Sequence, residues 1–109
     1  MARPESLIQQ AIHDYLTIKH IFHFSVPNGA LLGGKNKFAL LAMLKREGLM
    51  NGVSDLVIVT KEKVLFVEIK VQNGKQSDSQ KEFQKQAESL GYTYLVWRSL
   101  DDCINYFNA

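Results

Sequence analysis

The chain reads as an α/β protein, a mixed β-sheet flanked by helices in the order α-β-α-β-β-α-β-α. Three observations predict this. Within Asn51–Lys70, two β-branched runs, Leu56-Val-Ile-Val59 and Val64-Leu-Phe-Val67, flank the polar Thr60–Lys63, the pattern of a β-hairpin. Outside it, apolar residues recur at helical spacing in several stretches. One of those stretches separates the second hairpin strand from an apolar run at Tyr92–Trp97, and a helical crossover between strands implies a mixed sheet covered by helices.

The elements follow in chain order. Pro4 suits the first position of a helix, and Ile8, Ile12, Tyr15 and Leu16 carry it over Glu5–Lys19. Ile21–Val26 alternates Phe22, Phe24 and Val26 with His23 and Ser25, which predicts a half-buried strand with the phenylalanines inward. Pro27-Asn28-Gly29 ends it with turn chemistry. Gly33-Gly34 is a loop without the Lys-Ser/Thr of a phosphate loop. Asn36 can cap a second helix whose apolar positions are Phe38, Leu41, Ala42 and the stem of Lys45, closing at Gly48. After the hairpin, Val71–Lys75 is a loop. Ser77 and Gln80 form a capping box, and Phe83, Ala87 and Leu90 carry the helix to Gly91. Leu100–Phe107 forms a last helix started by Ser99 or Asp101, docked by Ile104 and Phe107, with Cys103 as a small core residue.

Composition narrows the function classes. At 109 residues the chain is expected to be one domain, 1–109, and 46% hydrophobic residues suffice for a core. No run has the length of a membrane span, and the first five residues lack a signal-peptide core. The single cysteine cannot close an internal disulfide, which fits a reducing, cytoplasmic setting. Net charge is only +2, so overall charge does not argue for nucleic acid. Its distribution says more. No acid lies between Asp14 and Glu47, while Lys19, Lys35, Lys37, Lys45 and Arg46 all fall there, which makes either a local positive surface suited to phosphates or an ordinary solvated loop and helix. Lys35 and Lys37 stand at a helix start, where cations oppose the helix dipole, an arrangement that suggests an anionic partner. His13, His20 and His23 have no cysteine or second ligand cluster near them, so His20 and His23 read as polar strand-face residues, and His13 as a polar residue of the first helix, rather than as zinc ligands.

The hairpin ends carry the chemistry. Glu68 and Lys70 share a face because side chains alternate along a strand, and Ile69 points into the core. If Lys61-Glu62 is a two-residue loop, Thr60 pairs with Lys63 and Asp55 lies opposite Glu68, about 5 Å away at Cβ. A three-residue loop would turn Asp55 to the wrong face. Two carboxylates so close repel unless a proton or cation lies between them. Two carboxylates plus water are what Mg²⁺ takes from a protein, leaving positions for phosphate oxygens, and a neighbouring lysine can orient water and offset charge on a phosphate.

Asp55 followed at a distance by Glu68-Ile69-Lys70 resembles the PD-(D/E)xK nuclease signature. More narrowly, the chain is similar to a stand-alone, phage-like VRR-Nuc domain over nearly its whole length. The matching features are Glu5 on the first helix, Gly48…Gly52…Asp55, Glu68-Ile69-Lys70, Gly74-Lys75…Ser79-Gln80, and Gly91-Tyr92. Ser54 stands where that family usually has proline, which would only stiffen the lead-in to the strand. The resemblance implies a restriction-endonuclease-like core and hydrolysis of DNA, including branched DNA, with Mg²⁺ or Mn²⁺. It implies that Asp55, Glu68, the Ile69 carbonyl and Glu5 hold the ion, with Lys70 and Gln80 at the water or phosphate. It also implies a symmetric dimer, in the cytoplasm of a bacterial or phage-infected cell. Lys35, Lys37, Lys45, Arg46 and Lys75 are the expected DNA contacts. Without the resemblance, Glu5 is a first-turn acid that complements the helix dipole and Gln80 a capping residue. Two other classes compete: a non-catalytic nucleic-acid-binding module on the same basic segment, and a structural protein with no nucleic-acid partner. Glu68-Ile69-Lys70 favours the nuclease, because burial alone never asks for charge at both ends of that triplet.

Overall fold

The computed structural model describes residues 3–27 and 34–109. Its elements are α1 (Pro4–Ile18), β1 (His23–Ser25), α2 (Lys37–Arg46), β2 (Leu56–Val59), β3 (Val64–Ile69), α3 (Asp78–Ser89), β4 (Thr93–Trp97) and α4 (Leu100–Asn108). The strands form one sheet in the order β1-β2-β3-β4, antiparallel except for the parallel pair β3–β4 joined through α3. The mixed sheet expected from the helical crossover is therefore present.

Alternation along the strands divides the sheet into two faces. Leu56, Ile58, Leu65, Val67, Ile69 and Trp97 point to one of them and meet Ile12 and Leu16 of α1 and Cys103 of α4, all fully or nearly fully buried. On the other face Phe66 packs edge-to-face on Phe83 of α3, which also meets Tyr94. Cys103 is the small core residue expected, and burial pushes its thiol up to about 11. Among the described residues no helix is long and apolar enough to cross a membrane.

The helix ends follow local chemistry. Pro4 opens α1, and Ser77 and Gln80 make the reciprocal capping box of α3. Ser99 caps α4 by accepting from the Asp102 amide, which settles the choice between Ser99 and Asp101. Gly91, with φ +90, lets the chain leave α3 in a conformation that costs glycine least.

Several expectations are corrected. β1 is shorter than Ile21–Val26, and its faces are reversed: Phe22 and Phe24 are 66% and 47% exposed. The reason is register. His23 pairs with Ile58 and Ser25 with Leu56, so the polar side chains share the α1 face while Phe24 joins Val57 on the other, at the margin of the sheet. His20 is not on the strand but in the turn after α1, with φ 58. α2 buries no residue, Phe38 and Ala42 are exposed, and Asn36 makes no side-chain cap. Leu90 at the end of α3 is exposed as well. The turn at Asn28-Gly29 and the first glycine of Gly33-Gly34 lie outside the described residues.

Candidate active site

The hairpin adopts the even-loop register. Thr60 N donates to Lys63 O at 2.9 Å, and Val59 pairs with Val64 through to Leu56 with Val67. The same register, carried one step further, sets Asp55 opposite Glu68 on the α3 face. Asp55 is held from both sides. Its carbonyl accepts from Val26 N at 2.9 Å, and its Oδ2 accepts from Ile69 N at 2.8 Å, beyond Val67, the last β3 residue paired with β2. Ser54, where the resemblance led to an expected proline, is fully buried and donates through Oγ to Leu56 O at 3.1 Å. A hydrogen bond here fixes the lead-in that a ring would otherwise stiffen.

Glu68 is 2% exposed. Its Oε2 accepts from Gln80 Nε2 at 3.1 Å and lies 3.8 Å from Lys70 Nζ, while its Oε1 is buried without a hydrogen-bond partner among the described residues. Burial is the largest cause lifting its carboxyl; the Asp55 carboxylate beside it adds to this, Lys70 opposes it, and Glu5 adds further, so that Glu68 is pushed up to about 8. A buried acceptor that no donor reaches, facing another carboxylate, is satisfied by a proton or a cation.

Gln80 arrives by an independent route. The capping box directs its Oε1 back to Ser77 N at 2.8 Å, which leaves the amide nitrogen aimed at Glu68. The helix start is itself located by Gly52, with φ +83. A Cβ at Gly52 would overlap the Ser79 carbonyl and stand 2.8 Å from Gln80 N. Only glycine allows the loop before Asp55 and the first turn of α3 to approach so closely.

A cleft of about 900 Å³ opens onto these groups. Glu5, Asp55, Glu68 and Gln80 all line it, along with one side of α1 and the β1 segment. Lys70, 9% exposed, stands behind Glu68 rather than in the lining. The structure thus brings Glu5, Asp55, Glu68, Lys70 and Gln80 to one place. It does not bring Lys35, Lys37, Lys45, Arg46 or Lys75 into the cleft; all five are exposed, four of them on or beside α2. Among the described residues no three His, Cys, Asp or Glu side chains converge as a ready-made metal cage. Two carboxylates completed by water and phosphate oxygens are nonetheless a usual Mg²⁺ arrangement.

Two features escaped the sequence. His13 Nδ1 and His23 Nε2 are 2.8 Å apart in the cleft wall, and His23 Nδ1 is 2.8 Å from Ile21 O. Since a carbonyl only accepts, His23 carries its proton on Nδ1, and in the neutral pair His13 is the donor to His23. Arg98 Nη1 donates to the carbonyls of Val71, Gln72 and Gly74 at 2.7, 3.3 and 2.7 Å, clasping the loop between Lys70 and α3. Neither has a local signal, because His13 and His23 are ten positions apart and Arg98 is at least 24 from the carbonyls it meets.

Among solved structures that share the fold, two match over nearly the whole chain. One described as a VRR_NUC domain protein has a TM-score of 0.73 at 20% identity, over 99% of this chain and 88% of that one. Another, described as a VRR_NUC domain, has a TM-score of 0.70 at 16% identity, over 98% and 97%. No curated protein matches the chain. The family model for the VRR-NUC domain matches residues 3–100, and so the chain belongs to the VRR-NUC family of nuclease domains.

Proposed function

We propose that this chain hydrolyses DNA phosphodiester bonds with the help of Mg²⁺ or Mn²⁺, acting on branched DNA as a symmetric dimer. The observation that carries the reading is Glu68, a buried carboxylate with an orphaned oxygen facing Asp55 at the floor of an open cleft. The donor set fits a hard divalent cation: Asp55 and Glu68 would hold it, with the Ile69 carbonyl as a further ligand and Glu5 extending the carboxylate cluster. Such an ion supplies charge neutralisation and Lewis-acid polarisation at the scissile phosphate. The chain's own residues supply the rest. Ile69 N–H fixes the rotamer of Asp55, and Gln80 fixes that of Glu68. Gln80 uses one of its two amide hydrogens on Glu68, so the second is free for a water or a phosphate oxygen. Lys70, held beside Glu68, would orient the attacking water and offset charge developing on the phosphate. The exposed Lys35, Lys37, Lys45, Arg46 and Lys75 would meet phosphates outside the cleft.

Purified protein is incubated with a labelled four-way junction and a linear duplex, in Mg²⁺, Mn²⁺ or EDTA, beside Asp55→Ala, Glu68→Ala and Lys70→Ala. Metal-dependent cleavage lost in each variant is the expected result. Binding without cleavage under every metal would replace the reading with that of a non-catalytic module. A monomeric mass by light scattering at micromolar concentration would remove the dimer.

A further inference from the structure

The reversed face of β1 places aromatic surface beside the carboxylates. Phe24 pairs with Val57, and the bond from Val26 N to Asp55 O sets Val26 opposite Asp55. Phe24 is therefore a diagonal neighbour of Asp55 on the same sheet face, a relation that spans about 7–8 Å. Its ring and that of Phe22 are 6.3 Å apart, both largely exposed, and both residues line the cleft that holds Asp55 and Glu68. From Phe22 to Pro27 this wall carries no carboxylate, lysine or arginine. What it offers a nucleotide is a flat apolar surface one step from the reacting phosphate, not a phosphate contact.

The geometry points to Phe24, backed by Phe22, as a stacking platform for the nucleobase next to the scissile phosphate. This rests on the nuclease reading above and deepens it. A base within a duplex is stacked on both sides by its neighbours. Away from a duplex end, only an unpaired nucleotide, at a branch point, flap or overhang, can lay its face on the ring. The platform thus selects substrates with unpaired nucleotides adjoining the cut. Exposed aromatic surface on an edge strand invites pairing with another chain as well, so a second copy is the competing occupant.

Binding is measured by fluorescence anisotropy with the full chain, at low salt in EDTA and again in Ca²⁺. The probes are a labelled blunt duplex and the same duplex with a single-stranded overhang. Phe24→Ala is expected to weaken overhang binding by at least about fivefold more than blunt-duplex binding, the lower bound for losing one stacked base. Phe24→Trp is expected to keep the affinity, and its introduced indole to be quenched by the overhang strand while the buried Trp97 is not. Equal loss on both probes, no loss on either, or no overhang binding by the wild type in both solutions overturns the platform. So does a fall in oligomeric mass in Phe24→Ala that accounts for the lost binding. The two readings fail separately. If the wild type cuts nothing in Mg²⁺ or Mn²⁺ but the overhang effect persists, nuclease action falls and the platform stands. If cleavage requires Glu68 but Phe24→Ala leaves the overhang preference intact, the platform alone falls.

Discussion

Glu68→Gln separates the chemistry of the site from its contribution to folding. Glutamine has nearly the same shape, can keep an oxygen toward Gln80 Nε2, and can turn an N–H toward Asp55 where Glu68 Oε1 now has no partner. The energetic consequence follows from the carboxyl being raised from 4.5 to about 8 in the folded protein. At 1.36 kcal/mol per tenfold, the buried anion costs the metal-free fold about 5 kcal/mol once it is fully ionised. A group raised on folding prefers its proton in the folded state. The cost is therefore absent below pH 4.5, grows as pH rises between the two values, and is complete above about 8. In EDTA at alkaline pH, Glu68→Gln is expected to melt well above the wild type. Even about 1 kcal/mol moves the midpoint of a domain this size by about 4–8 °C. The difference should shrink on acidification and vanish below pH 4.5. Mg²⁺ should raise the wild type and not the variant, and cleavage should be lost. Scanning calorimetry across pH checks the sign. A variant no more stable than the wild type at alkaline pH, or an advantage that grows on acidification, would refute the view of Glu68 as a destabilising buried anion.

Other outcomes follow from the same geometry. Because an ion must displace the Glu68 proton, the stabilisation given by a fixed Mg²⁺ concentration should increase from about pH 6 to about pH 8 and then level off, read by calorimetry. Gly52→Ala should cost about 1–3 kcal/mol in urea unfolding, by forcing the loop away from the Ser79 carbonyl, and should reduce cleavage as Gln80 moves with its helix. Ser77→Ala removes the acceptor for Gln80 N and should cost about 1 kcal/mol. Cys103, fully buried with its thiol held near 11, should react with a disulfide reagent only as fast as the protein unfolds.

What the sequence reveals is uneven, and the unevenness has physical causes. The hairpin and the Asp55–Glu68 juxtaposition were legible because a two-residue turn sets a register and a register sets faces, both local rules. The capping box at Ser77 was legible because its two partners are three residues apart. The sense of β1 was not. Alternation in Ile21–Val26 gives a period but no direction, and the usual burial of apolar residues points Phe22 and Phe24 inward. The sense was decided instead by which β2 residue each one met. α2 failed for a related reason: apolar spacing predicts a buried stripe only where another element comes to cover it, and α2 buries none of its residues. Neighbourhood in the chain suggests one surface for the basic residues but does not say where it lies relative to the acids; Lys35, Lys37, Lys45, Arg46 and Lys75 are exposed and outside the cleft lining.

Gln80 shows how structural and functional readings of one residue can both hold. A capping glutamine and an active-site glutamine look like alternatives, since each accounts fully for the residue type. In the structure the cap is what aims the side chain. With Oε1 spent on Ser77 N, the planar amide must present Nε2 in a fixed direction, and that direction is Glu68. The same economy holds at Asp55, whose Oδ2 takes the Ile69 amide at the end of the ladder and so fixes where its other oxygen can go. Asp55 and Glu68 are thus each oriented by a hydrogen bond from a backbone or capping group that secondary structure already had to place. The two carboxylates cannot turn away from each other to relieve their repulsion. That restraint favours a proton between them, and the proposed divalent cation would take its place.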